Sequence, residues 1–147
     1  MTEFDRDKLV SDVKALEDFN SGVVEQFRTN GGRVDGFADG LLLLHTTGAK
    51  SGKPRLSPLA YLEVDGRMLI VGSYGGAPKE PAWVHNLRAN PHARIEVGTD
   101  AYEVVARELP RAERDELYPR VGELNPNFAK YQTMVDRVIP LFELTRA

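Results

Sequence analysis

A chain of 147 residues without cysteine has the size that buries one core, and it offers no disulfide, thiol nucleophile or thiolate metal site. With 19 Lys+Arg against 22 Asp+Glu the formal charge is -3, so the whole-molecule field disfavours polyanions and nucleic acid is not an expected partner. No stretch approaches the roughly 20 apolar residues of a spanning helix, and the start MTEFDRDKLV has neither a basic n-region nor an apolar h-region, so a cytoplasmic protein of one domain over residues 1–147 is expected.

Leu9, Val10, Val13, Leu16 and Phe19 recur at helical spacing, and Val23, Val24 and Phe27 form a second pattern before Asn30-Gly31-Gly32. This predicts two helices and a stop within residues 1–40. Leu41 to Leu44, between Asp39-Gly40 and Gly48, suits a strand covered on both sides, with a helix as the alternative. Asp65-Gly66 between Leu59–Val64 and Arg67–Val71 predicts a tight hairpin. Pro81, Trp83, Val84 and Leu87 read as a helix ended by Asn90-Pro91. A second hairpin joins Ala93–Val97 to Ala101–Leu109 through Gly98-Thr99-Asp100. Pro110 opens an acidic helix to about Leu117, and Phe128, Tyr131 and Val135 share a face of another. Pro140–Leu144 suits an edge strand, where a proline does least harm. Hairpin-linked strands with inserted helices predict a mainly β or α+β domain built on an antiparallel barrel, with its core over residues 41–147.

The segment TTGAKSGKPR, Thr46 to Arg55, gathers Lys50, Lys53 and Arg55 with two glycines and three hydroxyl residues inside an acidic chain. Glycines let main-chain N–H groups converge, and Lys and Arg supply charge for phosphate or carboxylate oxygens, so the turn suits an anion. An ordinary hairpin connection with solvated charges is the competing reading. A nucleotide P-loop does not fit: Gly48 and Gly52 are three residues apart instead of four, and Pro54 stands where a hydroxyl should follow Lys53.

The blocks LLLLHTTGAKSGKPRLSPLAYL and VGSYGGAPKEPAWVHNLRANP, followed by the Tyr-containing C-terminal helix, resemble the deazaflavin-dependent nitroreductase family of actinobacteria from about Leu41 to Leu144. The resemblance implies a split β-barrel that binds reduced coenzyme F420, a deazaflavin carrying a phosphate and an oligoglutamate tail. Position by position it assigns Ala49, Lys50 and Ser51 to the cofactor, with Lys50 near the phosphate or tail and Arg55 beside it. It continues with Leu56, Ser57, Pro58 and Ala60 along a strand, places Val71, Gly72, Ser73 and Tyr74 under the ring, and puts Ala82, Trp83 and Asn86 on the helix that closes the site. Three positions depart from the family pattern: Tyr74 replaces a frequent lysine, and Asn125 and Phe128 stand where the nitroreductase has tyrosines, while Tyr131 is retained.

Hydride transfer to a quinone, enone or nitro group leaves charge on an oxygen. Tyr131 or solvent could protonate it, and Ser73 could hydrogen-bond the ring or the acceptor; Phe128 can do neither. Each has a plainer reading: Tyr131 as lid or core packing, Trp83 as core, Ser73 as a turn residue. His45, His85 and His92 lack ligand spacing, so no metal is assigned. Two alternatives accompany the F420-dependent reductase. FMN could occupy the same turn with its single phosphate, although three cations exceed that need. A non-catalytic cofactor or fatty-acid carrier could use an apolar pocket of Trp83, Leu87 and Phe128. The pattern Leu9–Phe19 could dock on a membrane surface or a second copy, but Asp5, Asp12, Glu17 and Asp18 oppose anionic lipid, and packing on the barrel is preferred.

Overall fold

The computed structural model describes residues 13–34 and 40–147; Leu9, Val10 and Asp39 lie outside them. Phe19, Val23 and Phe27 follow one another at four-residue steps and fall within a single helix, α1 (Val13–Thr29). The expected break between two helices at Asn20–Gly22 is absent. Phe19 and Val23 are one i,i+4 step apart, so the apolar stripe continues across the polar residues, which turn outward. The predicted stop holds: Gly31 and Gly32 take φ +66° and +95°, and the Gly32 N–H donates to the Phe27 carbonyl at 2.7 Å.

Six antiparallel strands then close a barrel: β1 (Leu41–Thr47), β2 (Pro54–Val64), β3 (Arg67–Val71), β4 (His92–Val97), β5 (Asp100–Glu108) and β6 (Leu141–Arg146), in the spatial order β1-β2-β3-β6-β5-β4. Both hairpins form. Asp65 (φ 53°) and Gly66 (φ 77°) supply the left-handed pair that matches strand twist. The second turn is shorter than expected: Val97 pairs with Asp100, leaving Gly98-Thr99 as the loop. The last strand is not an edge. β6 pairs with β3 and β5, and Pro140 stands just before it, where a missing N–H breaks no ladder bond.

Strand alternation sorts the apolar residues onto two surfaces. Leu42, Leu44, Ile70, Ile95, Val104, Phe142 and Leu144 fill the barrel, joined by Trp83, Val84 and Leu87 from α2 (Ala82–Ala89). On the outside, Leu41 and Leu43 pack with Val23 and Phe27 of α1. Leu69, Val71 and Leu141 pack outside under α3 (Arg111–Leu124) and α4 (Pro126–Thr133). β1 is thus covered on both faces, as its four leucines predicted. α3 runs past its expected end near Leu117 with Pro119 inside it. The roughly 3 kcal/mol that an internal proline costs is offset because the continuing turn buries Val121 beside Leu117 and Tyr118. Val135 lies beyond α4 but still packs with Tyr131 on the same cluster. No helix among the described residues is long and apolar enough to cross a membrane.

Arginine–carboxylate pairs tie the outer surface together. Arg67 and Arg107 both bridge Glu113 of α3 and Glu143 of β6, at 2.7–3.0 Å. Arg107, then Arg67, hold the Glu113 carboxyl at about 2, well below its ordinary 4.5, and Glu143 is lowered by the same two arginines. A carboxylate held low in the folded state stabilises it at pH above the unfolded value, and that contribution disappears as pH falls through the folded value. The melting temperature is therefore expected to fall between pH 4.5 and about 2, with a shallower descent in Glu113→Gln. Thermal melts across that range check this.

Candidate active site

The β1–β2 connection, Gly48 to Lys53, is a closed turn. The Gly48 N–H donates to the Lys53 carbonyl at 2.8 Å and the Gly52 N–H to the Gly48 carbonyl at 2.9 Å, while the Lys53 N–H reaches Ser51 Oγ at 3.2 Å. A Cβ on Gly48 would push Ser51 Oγ, 2.5 Å away, out of its place beside the Lys53 N–H, and Gly52 has φ +68°, which favours glycine. Lys50, Lys53 and Arg55 are exposed, and none pairs with a described carboxylate. Elsewhere Arg28, Arg67, Arg88, Arg107, Arg111 and Arg120 are neutralised by acids. The turn therefore carries uncompensated positive charge on an acidic molecule.

Asn86 fastens this turn to α2. Its side chain is buried; Oδ1 accepts from the Ala49 N–H at 2.9 Å and Nδ2 donates to Thr46 Oγ1 at 3.1 Å. Ala82 is exposed at the start of α2. Trp83 is 4% exposed and meets Phe142 edge-on inside the barrel at 5.6 Å.

β2 is the strand left partly open, half-buried from Leu56 to Leu62. Its alternation divides the predicted cofactor residues. Arg55 and Ser57 pair with Thr46 and Leu44 and share their inward face. Leu56, Pro58 and Ala60 face outward, Leu56 beside the α1 cluster and Ala60 beside the α3/α4 cluster. The outer face of β2 is thus a strip between two helical walls, with the cationic turn at one end.

At the end of β3, Val71 and Gly72 lead into a turn containing Ser73, Tyr74, Gly75 and Gly76. A Cβ on Gly72 would sit 2.7 Å from Pro140 Cγ and 2.9 Å from Val84 Cγ2, so glycine is required for this close passage between α2 and β6. Tyr74 (φ 48°), Gly75 (φ 63°) and Gly76 (φ 81°) are successively left-handed. Ser73 is 6% exposed and its side chain makes no capping bond. Tyr131 of α4 is half-buried, edge-on to Phe128 at 6.3 Å, and a Cβ on Gly76 would lie 3.3 Å from its ring. The chain thus links the cationic turn to α2 through Asn86, α2 to Gly72 through Val84, and the Ser73 turn to Tyr131 through Gly76.

One reading needs correction. Trp83 and Leu87 lie inside the barrel while Phe128 lies outside under α3, so the apolar pocket expected for a carrier does not form; the sheet separates its members. Sequence reasoning also missed Arg137, which donates to the carbonyls of Gly72, Ser73 and Ala77, and no periodicity or motif in its segment signals that contact. A cleft of about 680 Å³ between α3 and α4, around Arg114, Tyr118 and Gly122, contains none of the residues singled out from the sequence. His45 Nε2 lies 2.6 Å from Glu96, and no group of three or more His, Asp or Glu among the described residues could hold a metal.

The family model for F420H(2)-dependent quinone reductases matches residues 21–146. The chain belongs to that family. It is 43% identical over 119 residues to an F420H(2)-dependent quinone reductase of Mycobacterium tuberculosis (strain ATCC 25618 / H37Rv), covering 79% of each chain. A solved structure of an F420-H2 dependent reductase, FDR-A, is 39% identical with a TM-score of 0.65, over 77% of this chain and 100% of that one. Another, described as a domain-swapped dimer, is 36% identical with a TM-score of 0.66, over 90% of this chain and 98% of that one. The resemblance noted from the three sequence blocks therefore holds: the fold is the split barrel, the class is oxidoreductase, and the family's cofactor is coenzyme F420.

The site's chemistry fits that cofactor. Three uncompensated cations beside a half-open strand suit a long anionic appendage joined to a flat ring. Removing the Asn86 bridge should loosen the cationic turn. Asn86→Ala leaves a buried hydroxyl and the Ala49 N–H without their partner, costing about 1–3 kcal/mol, and is expected to weaken cofactor binding severalfold. Melting curves and fluorescence titration of the same preparation check both effects.

Proposed function

We propose that this chain transfers a hydride from reduced coenzyme F420 to a quinone-type acceptor at the outer face of β2, between the Gly48–Arg55 turn and Tyr131. The observation that carries this reading is the uncompensated charge of Lys50, Lys53 and Arg55 at one end of a strip alongside which β3 runs back from the Asp65-Gly66 hairpin towards the Ser73 turn. When bound, the deazaflavin supplies the hydride, because carbon in place of N5 disfavours one-electron transfer.

The protein's own part is placement. Lys50 and Arg55 hold the phosphate and tail, with Ser51 contributing its hydroxyl and Ala49, whose N–H is held by Asn86, lining the turn. Pro58 and Ala60 form the floor, and Val71 to Tyr74 the near edge. Tyr131 donates a proton to the oxygen that gains charge as the acceptor is reduced, and Ser73 orients the ring or the acceptor. Asn86 and Trp83 fix α2 behind the turn. Ser57, facing inward, reaches the ligand only at the barrel mouth, beside Arg55.

In this reading residues 1–147 act as one domain in the cytoplasm. Asp5, Asp12, Glu17 and Asp18 oppose attachment to anionic lipid. Self-association through a second copy is proposed on the likeness to the domain-swapped dimer, and gel filtration across concentrations tests it.

The reading is tested by titrating purified protein with F420 and with FMN while following cofactor fluorescence, then adding menadione to the reduced complex. Micromolar F420 binding and consumption of reduced cofactor are expected. No quenching at micromolar concentrations, or tighter binding of FMN, would reject it; binding without menadione-dependent consumption would point instead to a carrier.

A further inference from the structure

Arg137 lies between α4 and β6, far in sequence from the turn it contacts. Its guanidinium donates from Nε to the Ala77 carbonyl at 3.1 Å, from Nη1 to the Gly72 carbonyl at 3.1 Å and from Nη2 to the Ser73 carbonyl at 2.9 Å. The Ser73 carbonyl also accepts from the Gly76 N–H at 2.9 Å, whereas the Gly72 and Ala77 carbonyls lie outside the helix and strand ladders and take Arg137 as their partner. The turn they belong to also stores strain, since Tyr74 is a non-glycine residue held at φ 48°. Something must over-determine that conformation, and a planar fork bonded to both sides of it does so.

The segment that carries Arg137 is itself anchored. Gln132 Nε2 of α4 donates to the Arg137 carbonyl at 2.8 Å, while Gln132 Oε1 accepts from the Ile139 N–H at 2.9 Å. Arg114 of α3 donates to the same Gln132 oxygen and to the Ile139 carbonyl. The brace therefore runs from α3 and α4, the wall that bears Tyr131, to the Gly72–Ala77 turn that bears Ser73.

We propose that Arg137 is the positioning residue of the reaction centre: its fork holds the Gly72-Ser73-Tyr74 backbone at a fixed place relative to Tyr131, and so sets cofactor affinity and ring alignment without touching the reacting atoms. This rests on the reading of Val71–Tyr74 as the cofactor's near edge. Lysine cannot substitute, because one ammonium on a flexible stem does not present three donors in the plane of the fork. Burial lowers the Arg137 pKa, yet an arginine remains charged at any pH compatible with the fold.

The experiment uses full-length protein with Arg137→Lys and Arg137→Ala, and Val121→Ala as a control that lowers stability by opening a cavity under α3 without removing any hydrogen bond to the turn. Amide hydrogen exchange of the cofactor-free proteins should show residues 73–77 exchanging faster in both Arg137 variants and unchanged in the control. The F420 dissociation constant, read by fluorescence, should rise about tenfold in Arg137→Lys, equivalent to about 1.4 kcal/mol, and stay at the wild-type value in Val121→Ala. Millimolar guanidinium should restore affinity to Arg137→Ala, while sodium chloride at equal ionic strength should not.

Unchanged exchange at 73–77 overturns the proposal and leaves the site reading standing. Faster exchange with unchanged affinity also overturns it, because the turn would be held but would not matter to the cofactor. If F420 gives wild-type residues 73–77 no protection and Lys50→Ala/Arg55→Ala binds it normally, the site reading fails, and the proposal with it.

Discussion

Replacing Lys50 and Arg55 together by alanine is expected to raise the F420 dissociation constant about thirtyfold at low ionic strength, from a loss of about 1 kcal/mol at each position. The figure sits at the upper end for exposed ion pairs because neither cation has a competing carboxylate among the described residues, so nothing else offsets its charge. Both side chains keep some water in the complex, which argues against a larger value. Screening adds a second signature. The wild type should lose affinity as salt shortens the Debye length from about 30 Å to about 8 Å, and the double variant should lose much less. A dissociation constant untouched by the double substitution at low salt would remove the electrostatic basis of the site. Thermal stability should barely move, since the two residues make no ion pair within the described structure.

Trp83→Ala is expected to act in the opposite sense, costing about 3–5 kcal/mol of stability by opening a cavity in the barrel. For a chain of this length that lowers the melting temperature by about 10–15 °C. The cause is geometric: Trp83 is 4% exposed, lies edge-on to Phe142 and plugs the barrel beside Leu42, Leu44 and Ile70. Trp83→Phe keeps an aromatic edge against Phe142 and should lose only about 1 kcal/mol, with F420 affinity at the wild-type value. If the phenylalanine variant melts normally yet binds F420 tenfold more weakly, Trp83 contacts the cofactor directly and is more than core.

Of the three departures from the family pattern, Tyr74 and Phe128 have distinct structural settings. Tyr74 takes a left-handed conformation at the edge of the turn and carries no positive charge, so in the proposed site the cations for the tail come from the Gly48–Arg55 turn. Phe128 is buried under α3, where the Tyr118 hydroxyl donates to its carbonyl at 2.7 Å.

The sequence by itself determined the local elements and the character of the site. Asp65-Gly66, Asn90-Pro91 and Leu41 to Leu44 carry their conformations in residues a few positions apart, through positive φ, fixed φ and two-sided burial, so short-range reading finds them. Lys50, Lys53 and Arg55 likewise show their shared charge because they are neighbours in the chain. Only the tertiary structure decided which of these surfaces face one another. Pro140–Leu144 could not be told from an edge strand until β3 and β5 closed around it. Trp83 and Phe128 could not be placed on opposite sides of the sheet until strand parity was fixed by pairing. Arg137 had no visible task until the chain brought it back, 60 to 65 residues later, to three carbonyls in the β3 turn. The physical reason is the same in each case: pairing register and main-chain hydrogen bonds between distant segments depend on closure of the barrel, which no short window of sequence encodes.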